Sequence, residues 1–158
     1  MRIITRFFVL ILCGIIPISP TIQAQDITVT GSWDLTINAS DLQSGAGSDL
    51  NPTYKSENNQ IRIHIRNTNT SWVVSVRGQV TNWHPDLQFY VRRTTDGGGP
   101  GSISGGTSWL RVTTIDQQFF TGSRQRANIH VRCGLTGVSV KIPPDTYSGT
   151  VIYTVTEI

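Results

Sequence analysis

Apolar and polar residues alternate along most of this chain with a period of two. Ile61, Ile63 and Ile65 interleave with Arg62, His64 and Arg66, and that period places one set of residues on each face of a β-strand. After the turn-like residues 67–71 come Trp72, Val74 and Val76, so a hairpin joining the two runs is expected. Leu87, Phe89 and Val91 make a further run that ends in Arg92 and Arg93. Leu110 and Val112 begin a short one, and Phe119-Phe120 precede another glycine-containing turn. Ile129, Val131, Cys133 and Leu135 lie opposite Asn128, His130 and Arg132, and Val138, Val140 and Ile142 repeat the pattern until Pro143-Pro144 stops it. Val151, Tyr153 and Val155 share one side of a last strand. Near the start, Trp33, Leu35 and Ile37 alternate with Asp34, Thr36 and Asn38, which predicts a strand over residues 33–37. Residues 40–59, polar and carrying Gly45, Gly47 and Pro52, read as a loop. Many short strands with turns between them predict an all-β fold, an immunoglobulin-like antiparallel β-sandwich.

One segment breaks the pattern. Arg2 and Arg6 precede a ten-residue apolar run at 7–16, followed by Pro17, Pro20 and a small residue at Ala24. The run is too short to span a bilayer of about 30 Å as a helix. It reads as a secretory signal over residues 1–24, leaving a single domain at 25–158 that works outside the cytoplasm, secreted or at the cell surface. No second long apolar run follows, so no integral membrane span is expected in the exported domain.

The leader changes the charge picture. The chain has 13 basic and 10 acidic residues, and the leader takes Arg2 and Arg6 with it. The near-balance that remains gives no strong phosphate-binding field, and nucleic acid is not an expected partner. Cys13 lies in the leader, which leaves Cys133 alone with no internal disulfide to make. Its place on an apolar strand face predicts a buried small hydrophobe.

Candidate chemistry is sparse. His64, His84 and His130 have no ligand spacing, so no metal is expected. Asp96-Gly97-Gly98-Gly99-Pro100-Gly101 lacks the Gly-Lys-Ser/Thr ending of a phosphate loop and reads as a flexible hairpin loop. No nucleophile elbow or carboxylate pair stands out, and no catalytic residue or cofactor is assigned.

The two ends of the domain carry a motif. Gly31-Ser32-Trp33-Asp34-Leu35 contains a Trp-x-Leu element, and the other end reads Tyr147-Ser148-Gly149-Thr150-Val151-Ile152-Tyr153-Thr154-Val155. The pair resembles the WxL domain of bacterial surface proteins. There an early Trp-x-Leu is matched by a terminal Tyr, an aliphatic residue four positions on, and a second Trp-x-Leu. Tyr147 and Val151 fit, while Tyr153 and Val155 stand where the second Trp and Leu would be. The resemblance implies a non-enzymatic cell-wall-associated protein that binds wall polymer or other surface proteins, with Trp33, Leu35, Tyr147, Tyr153 and Val155 as its motif. It also implies that the strand at 33–37 lies beside the last strand, with Trp33 and Tyr153 in one aromatic cluster. The ending is similar, too, to the last strand of chaperone–usher pilins and spore-coat-U-like proteins. That alternative is a pilin-like assembly subunit, with residues 26–30 as a strand donated to a neighbour. A third class, a carbohydrate-binding module, rests on Trp83 and Trp109, aromatics in expected loops where exposed rings stack on sugars. The other reading of Trp83 is a lid on one end of the sandwich.

Overall fold

The computed structural model describes residues 25–158, so the leader expected at 1–24 lies outside the described residues. The strands are β1 (Asp26–Thr30), β2 (Thr53–Lys55), β3 (Ile61–Arg66), β4 (Ser71–Asn82), β5 (Gln88–Arg93), β6 (Ile103–Gly105), β7 (Leu110–Arg111), β8 (Gln117–Ser123), β9 (Arg126–Thr136) and β10 (Ser148–Glu157). One sheet runs β1-β3-β9-β5-β7, with β2 also on β9, and the other runs β10-β4-β8-β6. All these pairings are antiparallel. The all-β sandwich that the alternation predicts is the fold observed. No helix among the described residues is long and apolar enough to cross a membrane.

The core lies between the sheets. Ile61, Ile63, Ile65, Val91, Ile129 and Val131 of the first sheet face Trp72, Val74, Val76, Phe120 and Tyr153 of the second. Burial of each aliphatic or Phe side chain contributes roughly 1.5–3 kcal/mol. β3 and β4 do not form the expected hairpin. β3 pairs with β1 and β9, whereas β4 pairs with β10 and β8, so the chain crosses from one sheet to the other between them. At the crossing Asn67 adopts φ 55°, and Thr68 is buried with its hydroxyl 3.1 Å from that of Thr70. The two strands pack face to face across the core instead of side by side. Their alternation is the same in either arrangement.

Two slips in register shape the rest. Val74 pairs with Phe120 but Ser75 with Gln118, so β8 carries an extra residue opposite β4. Such a bulge interrupts the alternation, and here both Phe119 and Phe120 are buried, 5.0 Å apart between ring centroids. Between β3 and β9, Ile63 pairs with Ile129 and Ile65 with Arg126. The additional residue of β9 is absorbed near Asn128, at φ 56°, and Arg126 ends on the buried side. Its guanidinium makes five hydrogen bonds of 2.6–3.2 Å, to the carbonyls of Asp96, Gly97, Gly99 and Gly101. The glycine-rich segment is therefore wound round a buried charge, not the flexible loop expected. Arg93, also buried, holds the next part: its Nε–H donates to Gly105 at 2.8 Å and its guanidinium pairs with Asp96.

Two expected strands are absent. Residues 33–37 have no strand partner, because Gly31 (φ 111°) turns the chain out of β1 and Gln60 Nε2 donates to the carbonyl of Ser32. Residues 138–142 form a turn instead. There the carboxylate of Asp49 accepts the Val140 N–H at 2.8 Å and the Ser139 hydroxyl at 3.0 Å, replacing a ladder bond. These bonds, led by the one from Val140, hold the Asp49 carboxyl below its usual range. The polar stretch 40–59 is mostly loop, as expected, with β2 as a three-residue strand inside it.

Cys133 is buried, as expected. Burial pushes its thiol up to about 11, against a smaller downward pull from Ser56. Burial also raises the Tyr153 hydroxyl. A folded-state pKa above the unfolded one favours the protonated form, so this stability is complete below the unfolded pKa and is lost as pH rises. Unfolding free energy is expected to hold up to about pH 9 and then fall by about 2–3 kcal/mol by pH 11 on account of Cys133. Cys133→Ala should flatten the decline between pH 9 and 10, below the onset of the Tyr153 contribution. Denaturant titrations at stepped pH test this, and an unchanged slope in the variant would refute it.

Candidate functional site

The outer faces of the two sheets differ in chemistry. On the β10-β4-β8 side the outward positions include Thr150, Thr154, Thr156, Ser75, Gln79 and Thr121, together with Val73 and Ile152, and Arg77 there is a cation already 3.7 Å from Asp116. On the other sheet the outward positions of β3 are Arg62, His64 and Arg66, because Ile61, Ile63 and Ile65 fill the core. By the same alternation β5 presents Tyr90 and Arg92, and β9 presents His130, Arg132, Gly134 and Thr136. Register aligns them across strands. Arg111 of β7 pairs with Tyr90, Tyr90 with Gly134, and Gly134 with Lys55 of β2. Arg92 pairs with Arg132 one row along. Lys55, Arg62, Arg66, Arg92, Arg111 and Arg132 thus share one face, six of the eleven cations outside the leader. None of the six forms a salt bridge among the described residues.

Trp109 lies on this face. Leu110 points to the core, so Trp109 and Arg111 on either side of it point outward. The indole reaches across β5 and rests on Gly134, where a Cβ would stand 3.0 Å from its Cζ3. Glycine in a strand interior weakens the strand and marks such close approaches. Arg92 stacks on the indole with its Cζ 5.1 Å from the ring centroid, a cation–π contact. Its Nε is enclosed with no hydrogen-bond partner among the described residues. Beside the ring opens a depression of about 260 Å³ lined by Thr53, Lys55, Tyr90, Trp109, Gly134 and Thr136. A second depression of about 240 Å³ over β8 is lined by hydroxyls such as Ser104 and Thr121 and has neither a charge nor an aromatic ring.

No family model, curated protein or solved structure matches the chain. An indole, a tyrosine and Lys55 around a shallow opening, with Arg92 and Arg111 beside it, suit a ligand with flat apolar ring faces and negative charge. Among the described residues no cluster of His, Cys, Asp or Glu has the arrangement of a metal site.

The other candidates separate. Trp83 donates from Nε1 to the Leu87 carbonyl at 2.8 Å, and its ring stands edge-on to Phe89 at 6.4 Å. It lids one end of the sandwich, so of the two loop tryptophans only Trp109 borders the open depression. Trp33 and Tyr153 do not form the single ring cluster that the end motifs implied. Trp33 packs on Phe89 at 6.1 Å, while Tyr153 packs on Phe119 at 6.2 Å, and no strand at 33–37 exists to lie beside β10. Leu35 is 38% exposed, and Val155 is half-buried against the core. Tyr147 donates its hydroxyl to Pro143 and faces His84 at 6.3 Å. Residues 26–30, expected as a donated strand, pair with β3 of their own sheet.

Lys55, Tyr90, Arg92, Arg111 and Gly134 were not singled out from the sequence as site residues. Arginine recurs at outward positions of β3, β5 and β9 and threonine at those of β10, and this contrast is written in the sequence. Only strand pairing turns it into a patch.

Proposed function

We propose that this protein is an exported, non-enzymatic β-sandwich of immunoglobulin-like type that binds an anionic polymer of the bacterial surface or wall through the outer face of β5, β9 and β2. The resemblance of its ends to WxL domains favours the same setting. What supports the reading is Trp109 lying over Gly134, stacked with Arg92 and flanked by Lys55 and Arg111. A sugar ring stacks on the exposed part of the indole, and the cations meet phosphate or carboxylate groups along the polymer. Each contact alone is weak, because exposed charges are screened by salt over about 8–10 Å. The aromatic anchor supplies the position and the charges supply the selectivity.

Titration of the exported protein with acidic and neutral wall glycans tests this. Acidic glycans are expected to bind with a Kd that rises steeply with salt. Trp109→Ala should weaken binding about 30-fold, the equivalent of about 2 kcal/mol for a central aromatic anchor. Gln79→Ala, on the opposite face, should bind as the parent does. Equal binding of neutral and acidic glycans at all salt concentrations, or no effect of Trp109→Ala, would overturn the reading. Tighter binding to single-stranded nucleic acid than to any glycan would reassign the face.

A further inference from the structure

The free edge of β10 is unlike the other edges of the sandwich. β1, β2, β6 and β7 have five, three, three and two residues, and short strands present little unpaired backbone to a neighbour. β10 has ten residues and stands at the end of its sheet, bonded only to β4. Residues 150–156 contain no charge and no proline, the devices that usually blunt an edge, and are mostly β-branched. The register shift of β10 falls at Ser148/Gly149, which leaves its remaining nine residues regular.

The order of side chains says what fits there. Residues 150–156 read Thr-Val-Ile-Tyr-Thr-Val-Thr, which is nearly the same in both directions about Tyr153. We infer that β10 pairs antiparallel with β10 of a second copy of this chain, about a two-fold axis at Tyr153, joining the two smaller sheets into one. In that register Tyr153 faces Tyr153, Val151 faces Val155, Thr150 faces Thr156 and Ile152 faces Thr154 of the other copy. Valines meet on the core side, and threonines with Ile152 meet on the outer side, following the faces these residues occupy against β4. The interface is self-complementary, as a two-fold contact requires. No like charges oppose each other, since Glu157 meets Gly149. The axis stands normal to the joined sheet, so both cationic faces look the same way.

The test uses the full chain produced in a secreting host and sized by light scattering at about 100 µM, roughly a hundred times a micromolar Kd. A mass twice that of the monomer is expected. Thr150 and Thr156 are both exposed, so their substitution leaves the core untouched. T150K/T156K places lysine opposite lysine twice, and like charges directly opposite destabilise a pair. This variant should run as a folded monomer, with circular dichroism and melting close to the parent's. T150K/T156E places lysine opposite glutamate twice and should restore the dimer. A monomeric parent at this concentration would overturn the inference. So would open-ended assemblies, or a T150K/T156K variant that dimerises as the parent does. Because none of these residues lies on the glycan-binding face, the outcome is independent of the proposed ligand.

Discussion

Replacing Arg126 with alanine is expected to cost about 3–5 kcal/mol, a large part of the 5–15 kcal/mol that holds an ordinary domain together. Arg126 is 8% exposed, and its guanidinium donates five hydrogen bonds to the carbonyls of Asp96, Gly97, Gly99 and Gly101. Alanine leaves those carbonyls facing an empty site, and each unsatisfied buried acceptor costs about 1–3 kcal/mol unless water enters. Lysine should recover little. Its ammonium keeps the charge but lacks the planar fork that reaches carbonyls at several angles. Gly101→Ala should loosen the same segment from outside, since a Cβ there would collide with the carbonyl oxygen of Ser123. Denaturant midpoints and limited proteolysis at residues 96–106 read both changes. An Arg126→Ala protein within about 1 kcal/mol of the parent, still resistant to cleavage there, would mean the loop holds itself.

Trp72 carries the second large effect. Its side chain is fully buried, stands edge-on to Phe120 at 6.1 Å, and donates from Nε1 to the Arg124 carbonyl at 2.8 Å. Trp72→Ala is expected to cost about 3–5 kcal/mol, from lost transfer energy and the cavity left behind. Trp72→Phe should keep part of the packing while leaving the Arg124 carbonyl without its donor. Trp83→Ala should cost clearly less, because that ring is only half-buried at the end of the sandwich. Thermal and denaturant unfolding of the three variants give the ranking. Equal losses at Trp72 and Trp83 would show that the end lid matters to the core as much as its centre.

The proposed binding face carries six cations with no salt-bridge partner among the described residues, and the two buried arginines help hold the structure beneath it. Arg93 is the inward neighbour of Arg92 on β5, and Arg126 begins β9. Arg93 and Arg126 are held by carbonyls and Asp96, whereas Arg92 and Arg132 face outward. Identical side chains therefore serve as structural pegs or as surface charge according to the face on which they fall.

The alternation of Ile61, Ile63 and Ile65, of Ile129, Val131 and Cys133, and of Val151, Tyr153 and Val155 was enough to define three strands and their buried faces. A period of two is a local property, and burial follows it directly. Alternation is misleading at residues 33–37 and 138–142, which no strand ladder takes up. A strand exists only where a partner completes its hydrogen bonds. Those partners are long-range: β3 lies against β9 and not β4, and β10 lies against β4. Bulges at Phe119–Phe120 and near Asn128 broke the period itself and carried Arg126 inward, which no local pattern announces. Its expected place in a loop marked Trp109 as a candidate, but its platform on Gly134 and its stack with Arg92 bring together segments that are separate in sequence. Local alternation thus sets the class of fold and which side of most strands is buried, because these depend on neighbours along the chain. Tertiary structure decided which strands meet, and with them the cationic face, the pinned loop and the open edge of β10, because register joins residues that no local period relates.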